Sequence, residues 1–257
     1  MDRHISLKHK NGVGYIIINK PKANCYEINF MNQLISCIDK AEKNKEVKVI
    51  VLKSALEKFF SAGADINVFQ ENTVAQNKEL VAQAQKAARK LAGSEKISIA
   101  AINGHALGGG LELAMACDIR LGSDDAYRLG LPEIKLGLIP GNGGSQRLIR
   151  LINKTRALEL LLTGDTFDSK EALALGLFSH LYPKETFDAA VATYAERLAQ
   201  GPFQAMSAIK LCVNQGGGLP LKEGLLMEDK LVNSLYDTDD AKEGLKAFVE
   251  KRAARFK

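Results

Sequence analysis

Two short β-branched runs, Val47–Leu52 and Ile97–Ile102, constrain the fold of this chain most. Each is continuous and apolar, so neither face can be left to water. A strand buried on both faces belongs in a sheet covered by helices. Helical patterns stand beside both runs. Residues 28–43 place Ile28, Met31, Leu34, Ile35 and Ile38 at helical spacing, and residues 73–92 are rich in Ala, Gln, Lys and Leu. Upstream, residues 3–8 and 13–19 read as strands joined by Asn11–Gly12, a strong hairpin signal, with Pro21 ending the second. The order β–β–α–β–loop–α–β–glycine loop–α is that of an α/β protein. Asp118–Leu121 and Leu177–Tyr182 read as further strands. Ser145–Leu151, 155–163 (closed by Gly164) and Ser169–Leu175 (closed by Gly176) read as helices. From Phe187 onward the pattern is helical, broken at Gly201–Pro202 and Gly216–Pro220. The expected division is a body over 1–200 and a helical region over 201–257 serving assembly.

A chain of 257 residues is one large domain, or one domain with an appendage. Its 46% hydrophobic and 25% charged content excludes a disordered chain. The net charge of +5 falls short of a dedicated nucleic-acid binder but suits a phosphorylated small molecule. Cys25, Cys37, Cys117 and Cys212 are far apart without metal spacing, and read as free thiols in a reducing compartment. No apolar run reaches membrane-spanning length, and Met-Asp-Arg-His does not open a signal pattern. A cytoplasmic protein is expected.

The chemistry centres on His105–Ala–Leu–Gly–Gly–Gly–Leu–Glu–Leu–Ala–Met–Ala–Cys–Asp118. Glycines 108 to 110 let backbone approach a ligand closely. If a helix starts there, its first N–H groups are free to bind an anion or a developing oxyanion. Glu112, hemmed by Leu111, Leu113 and Met115, is then partly desolvated, which raises a carboxyl pKa towards useful proton transfer. The bland alternative is tight packing with a solvated glutamate. Ser61–Ile66 offers backbone N–H groups for half an oxyanion hole, or else a plain turn with Asp65 as helix cap. Glu133, after Pro132, is either a buried, perturbed carboxylate or an ordinary exposed one. Two converging carboxylates would divide acid and base duties. The chain lacks Gly-x-Ser-x-Gly and Gly-x-x-x-x-Gly-Lys-Ser/Thr, and Gly141–Asn–Gly–Gly–Ser–Gln does not complete a dinucleotide fingerprint. The four histidines have no metal spacing, and His105 reads as packed or hydrogen-bonded. The basic residues from Lys78 to Lys96 read as a solvated helix face rather than an RNA-binding stripe.

Taken together, these motifs resemble the enoyl-CoA hydratase/isomerase (crotonase) family nearly end to end. The matches run from Asn19–Lys22 through Ser61–Ile66, Asn103–Gly110, Glu112, Cys117–Ile119, Pro132–Glu133 and Leu138–Leu148 to the tail Glu243–Arg252. The resemblance implies a spiral of ββα units with a helical C-terminal region, and a trimer or dimer of trimers. It implies an enoyl-CoA hydratase acting on an acyl-CoA, with coenzyme A part of the substrate and no further cofactor or metal. By the same resemblance, the N–H groups of Ala64 and Gly109 form the oxyanion hole. Glu112 and Glu133 hold the water, with Glu133 the proton donor to the α-carbon. The loop of Ala62, Gly63, Asp65, Ile66 and Asn67 lines the adenine and pantetheine path. Lys22, beside Ala23, and a lysine of the C-terminal tail meet the phosphates. Ala23, Gly108, Pro132 and Gly141 complete the substrate-binding set. The chain departs from the family at Ala23–Asn–Cys–Tyr–Glu–Ile28, where Ala-Leu-Asn-Ala-Leu is usual and the segment is one residue shorter. In the family that segment lies near the acyl pocket, so the resemblance implies that the substrate need not be a plain short-chain enoyl-CoA. The alternatives are isomerisation and hydration of a dienoyl, cyclic or branched acyl-CoA.

Overall fold

Asn11 and Gly12 both adopt positive φ, 50° and 78°, as a two-residue hairpin turn demands. The computed structural model describes residues 2–256. The turn joins β1 (Ile5–Lys10) to β2 (Val13–Ile18). There follow α1 (Ile28–Lys43), β3 (Val49–Ser54), β4 (Phe59–Ser61), α2 (Ile66–Glu71), α3 (Val74–Gly93), β5 (Ile97–Ile102), β6 (His105–Leu107) and α4 (Gly109–Ala116). Next come β7 (Ile119–Asp124), β8 (Leu129–Gly130), a 3-10 turn (Pro132–Leu136), α5 (Gly144–Leu151), α6 (Lys154–Thr163), β9 (Thr166–Phe167), α7 (Ser169–Ala174) and β10 (His180–Pro183). The last helices are α8 (Phe187–Ala199), α9 (Phe203–Asn214), α10 (Leu221–Leu235) and α11 (Asp239–Val249).

The strands form a larger sheet, β1-β2-β3-β5-β7-β10, and a smaller one, β4-β6-β8-β9. β1 pairs antiparallel with β2, and the rest of the larger sheet is parallel. β3, β5 and β7 are each followed by one strand of the smaller sheet, β4, β6 or β8, before the chain turns into helix. Each turn of chain is thus a ββα unit, and successive units stack by one strand in each sheet.

Alternation along the buried strands explains the layers. Val49 and Val51 of β3 and Ile97, Ile99 and Ala101 of β5 meet Phe187, Val191 and Ala195 of α8. Ile50, Leu52, Ala100 and Ile102 point the other way, into a core shared with α1, α3 and α4. Helix α3 starts at Thr73, whose hydroxyl accepts from the Gln76 N–H while Gln76 Oε1 accepts from the Thr73 N–H.

The expected strand at Val47–Leu52 is shifted to Val49–Ser54. Val47 is buried, but its N–H donates to the Asn44 carbonyl in a turn. Leu177 and Phe178 likewise fill the core ahead of β10 rather than pair in it. Lys96 does not extend a basic stripe: it is buried, and its ammonium donates to the Asn44 and Val47 carbonyls.

A largely buried ion pair ties the C-terminal helices to the body. Lys210 of α9 reaches Asp118, before β7, at 2.8 Å and also donates to the Lys96 carbonyl at 2.9 Å. Asp118 further accepts from the Ser98 N–H and hydroxyl at 2.7 and 2.8 Å. Removing one partner of a buried pair leaves a charge uncompensated, at ~3–5 kcal/mol. Asp118→Ala should therefore lower the urea-unfolding free energy by about that amount, whereas exchange of the exposed Asp237, paired with Lys242 at the surface, should leave it nearly unchanged.

Candidate active site

Three loops meet at the ends of successive short strands. The 62–65 loop follows β4, the glycine triplet follows β6, and Glu133 follows β8. These strands are parallel neighbours, so their C-terminal ends lie on one edge. The crevice outside that edge is where open parallel sheets bind ligands.

The first loop is held by the segment before α1. Asn24 is fully buried: its amide donates to the Ser54 hydroxyl and the Phe60 carbonyl, and its oxygen accepts from the Lys20 N–H. Tyr26 then pairs with Ala64 as an isolated parallel bridge, its N–H donating to Gly63 and its carbonyl accepting from Asp65. In such a bridge the partner residue's own N–H faces the other way. The Ala64 N–H indeed makes no hydrogen bond to another described residue. A Cβ on Gly63 would stand 3.0 Å from the Gly109 nitrogen, so this loop rests on the start of α4. Gly109 is the first helical residue, and its N–H has no acceptor within the helix.

Each glycine of the triplet admits a different neighbour. Gly108, at φ 52°, leaves room for a carboxylate oxygen of Glu133, which a Cβ would approach to 2.9 Å. A Cβ on Gly109 would overlap the Tyr26 hydroxyl, and one on Gly110 the Ser61 carbonyl. Tight packing and an open helix start are therefore the same feature.

Glu112 lies in the first turn of α4 and is 1% exposed. One of its oxygens accepts from the Asn142 N–H at 2.7 Å and the Gly144 N–H at 2.6 Å. Burial pushes its carboxyl up to about 7; the Gly144 N–H opposes this and the charge of Glu133 adds to it. Burial also raises Glu133, whose Oε2 has no partner among the described residues. The two carboxylates thus converge beside a pair of unused N–H groups. Such an arrangement can polarise a carbonyl at one end and move protons at the other.

The remaining predicted residues fall into two groups. Ala62 donates to the Ala23 carbonyl, Asp65 caps α2 through the Asn67 and Val68 N–H groups, and Ile66, Asn67 and Lys22 are exposed along the same side. Pro132 opens the turn that carries Glu133. Gly141 is exposed, its carbonyl accepts from Gln85 of α3, and it precedes Asn142, which donates to Glu112. His105 is stacked on Phe59 and accepts from the Arg128 N–H through Nδ1. Sequence reasoning missed the N–H clamp on Glu112, although it placed a helix-opening loop there. It also missed Tyr26, flagged only as part of a departing segment.

The family model described as "Enoyl-CoA hydratase/isomerase" matches residues 8–257. A protein named "Probable enoyl-CoA hydratase, mitochondrial" from Dictyostelium discoideum is 41% identical over 250 residues, covering 96% of this chain and 88% of its own. A "Probable enoyl-CoA hydratase" of Bacillus subtilis is 38% identical, covering 98% of each. The crystal structure of an enoyl-CoA hydratase from Geobacillus kaustophilus superposes with a TM-score of 0.96 at 37% identity, covering 100% of this chain and 97% of that one. The chain belongs to the enoyl-CoA hydratase/isomerase family. Its stacked ββα units and helical C-terminal region are the crotonase fold.

The raised Glu112 carboxyl makes stability depend on pH. Its native value of about 7 lies above the ordinary 4.5. Stability is therefore undiminished below the ordinary value and is lost as pH rises through 7. Glu112→Gln keeps an oxygen for both N–H donors and removes the charge. Urea unfolding should find the variant about 3 kcal/mol more stable than the wild type at about pH 8.5, and equal to it at about pH 4.

Proposed function

We propose that this protein is an enoyl-CoA hydratase, adding water across the 2,3 double bond of an enoyl-CoA thioester to give a 3-hydroxyacyl-CoA, reversibly. The observation that carries the reading is the convergence of Glu112 and Glu133, both raised by burial, beside the unused N–H groups of Ala64 and Gly109. The thioester oxygen accepts from those two N–H groups. A water between the carboxylates adds its oxygen to C3 and gives a proton to Glu112. The π electrons move onto the thioester oxygen, and the enolate returns them to C2, which takes a proton from Glu133. The two N–H donors are worth most where the oxygen carries full negative charge, so they lower the barrier rather than only bind substrate. Mutual repulsion suits the exchange: ionising one carboxylate holds the proton on the other.

Isomerisation requires one carboxylate to carry a proton between two carbons. The clamped Glu112 would then be idle, which favours hydration. Coenzyme A belongs to the substrate, and the reaction needs no further cofactor. The Ala62–Asn67 loop and Lys22 line the path of the CoA moiety. Residues 1–200 form the catalytic core, and 201–257 a helical region for assembly and active-site cover. Exposed Leu221, Leu225, Leu226, Leu245, Phe248 and Val249 there support a homo-oligomer, a trimer or dimer of trimers. Among the described residues no helix is long and apolar enough to cross a membrane, and the four cysteines are free, which fits a cytoplasmic setting.

The test is loss of the conjugated-thioester absorbance of crotonyl-CoA. Glu112→Gln and Glu133→Gln should each lower kcat by ~10²–10⁴ while CoA binding is kept. A fully active Glu112→Gln variant would sink hydration and point to isomerisation.

A further inference from the structure

The reaction above leaves Tyr26 without a role, yet it sits at the centre of the site. Its residue is 5% exposed. Its backbone pairs with Ala64, and its hydroxyl lies where a Cβ on Gly109 would be. The side chain therefore spans from one unused N–H to the other. The hydroxyl makes no hydrogen bond to another described residue, neither carboxylate included. Its oxygen is not among the side-chain atoms sealed from solvent without a partner, so the hydroxyl opens into the crevice, where its proton can meet an acceptor on a ligand. Burial, reinforced by the negative charges of Glu112 and Glu133, holds the phenol well above its ordinary pKa. It keeps its proton at working pH and is a donor.

We propose that the Tyr26 hydroxyl is a third hydrogen-bond donor to the thioester oxygen, beside the Ala64 and Gly109 N–H groups. This rests on the oxyanion reading of the site. The phenol stays neutral throughout. Its hydrogen bond strengthens as charge develops on the enolate oxygen and weakens when C2 is protonated, so it acts on the barrier. The small Gly109 is what admits the hydroxyl to that position.

Tyr26→Phe removes the oxygen and keeps the ring. With crotonyl-CoA, kcat should fall about 100-fold, the effect of losing one oxyanion donor, with little change in KM. The melting temperature should hold, because the hydroxyl bonds to nothing else in the protein. The second readout needs no turnover. Bound 4-dimethylaminocinnamoyl-CoA absorbs further to the red as donors draw charge onto its carbonyl, and the shift should be smaller in Tyr26→Phe. A variant with wild-type kcat and wild-type shift overturns the proposal. So does one whose rate and melting temperature fall together while the shift is kept. Should the wild type hydrate no enoyl thioester, the hydratase reading fails, and the absorbance shift still decides the role of Tyr26.

Discussion

The acceptance of two backbone N–H groups by one oxygen of Glu112 is the interaction on which the site depends. A carboxylate at this depth is costly to ionise, and burial alone would raise its pKa further than it stands. The N–H groups of Asn142 and Gly144 offset part of that cost, leaving the group poised near neutrality. They also fix the side chain, because Gly144 opens α5 and its N–H points out of a helix start. A Cβ on Gly144 would come within 2.9 Å of the same carboxylate oxygen, so the clamp needs glycine there. Helices α4 and α5 are thus coupled through a single oxygen.

Close approach is the other requirement. The start of α4 has to admit Glu133, the Tyr26 hydroxyl and the Ser61 carbonyl within three residues, and only glycine leaves space for all three. The same absence of side chains leaves the first helical N–H open to a ligand. Packing and function are not competing explanations of Gly108–Gly110, although the sequence alone presents them so.

The middle of the larger sheet, β3 and β5, was legible because those strands are covered on both faces. Ile97–Ile102 and the hairpin around Asn11–Gly12 carry their signal in composition and turn chemistry, and α1 has its whole length in the apolar spacing. The smaller sheet was not legible. His105–Leu107, Leu129–Gly130 and Thr166–Phe167 are two or three residues long, too short for any period to emerge, and contact with neighbours fixes them. In the site, Glu112 was legible from its apolar surroundings. The environment of Glu133 was not, because the turn that carries it has exposed Ile134, Leu136 and Leu138 and no helical face to bury. Tyr26 was illegible for a stronger reason. Its position is set by a bridge to Ala64, and nothing local to Cys25–Tyr26–Glu27 announces that partner.

The illegible small sheet is what assembles the site. Its strands repeat once per ββα unit, so each turn of the spiral delivers one loop to the same edge: 62–65, then 108–109, then 132–133. Segments far apart in sequence become neighbours by stacking alone. A parallel pair spaces its strands at about 4.8 Å, so the three loop tips stand side by side. On the proposed hydration, the donors of the first two turns face the thioester oxygen and the Glu133 carboxylate of the third faces the α-carbon. Glu112 comes from the helix that leaves the second loop, which carries it past the donor end towards the third. The spiral sets the order of the three loops, and the glycines and the clamp on Glu112 set how closely they approach.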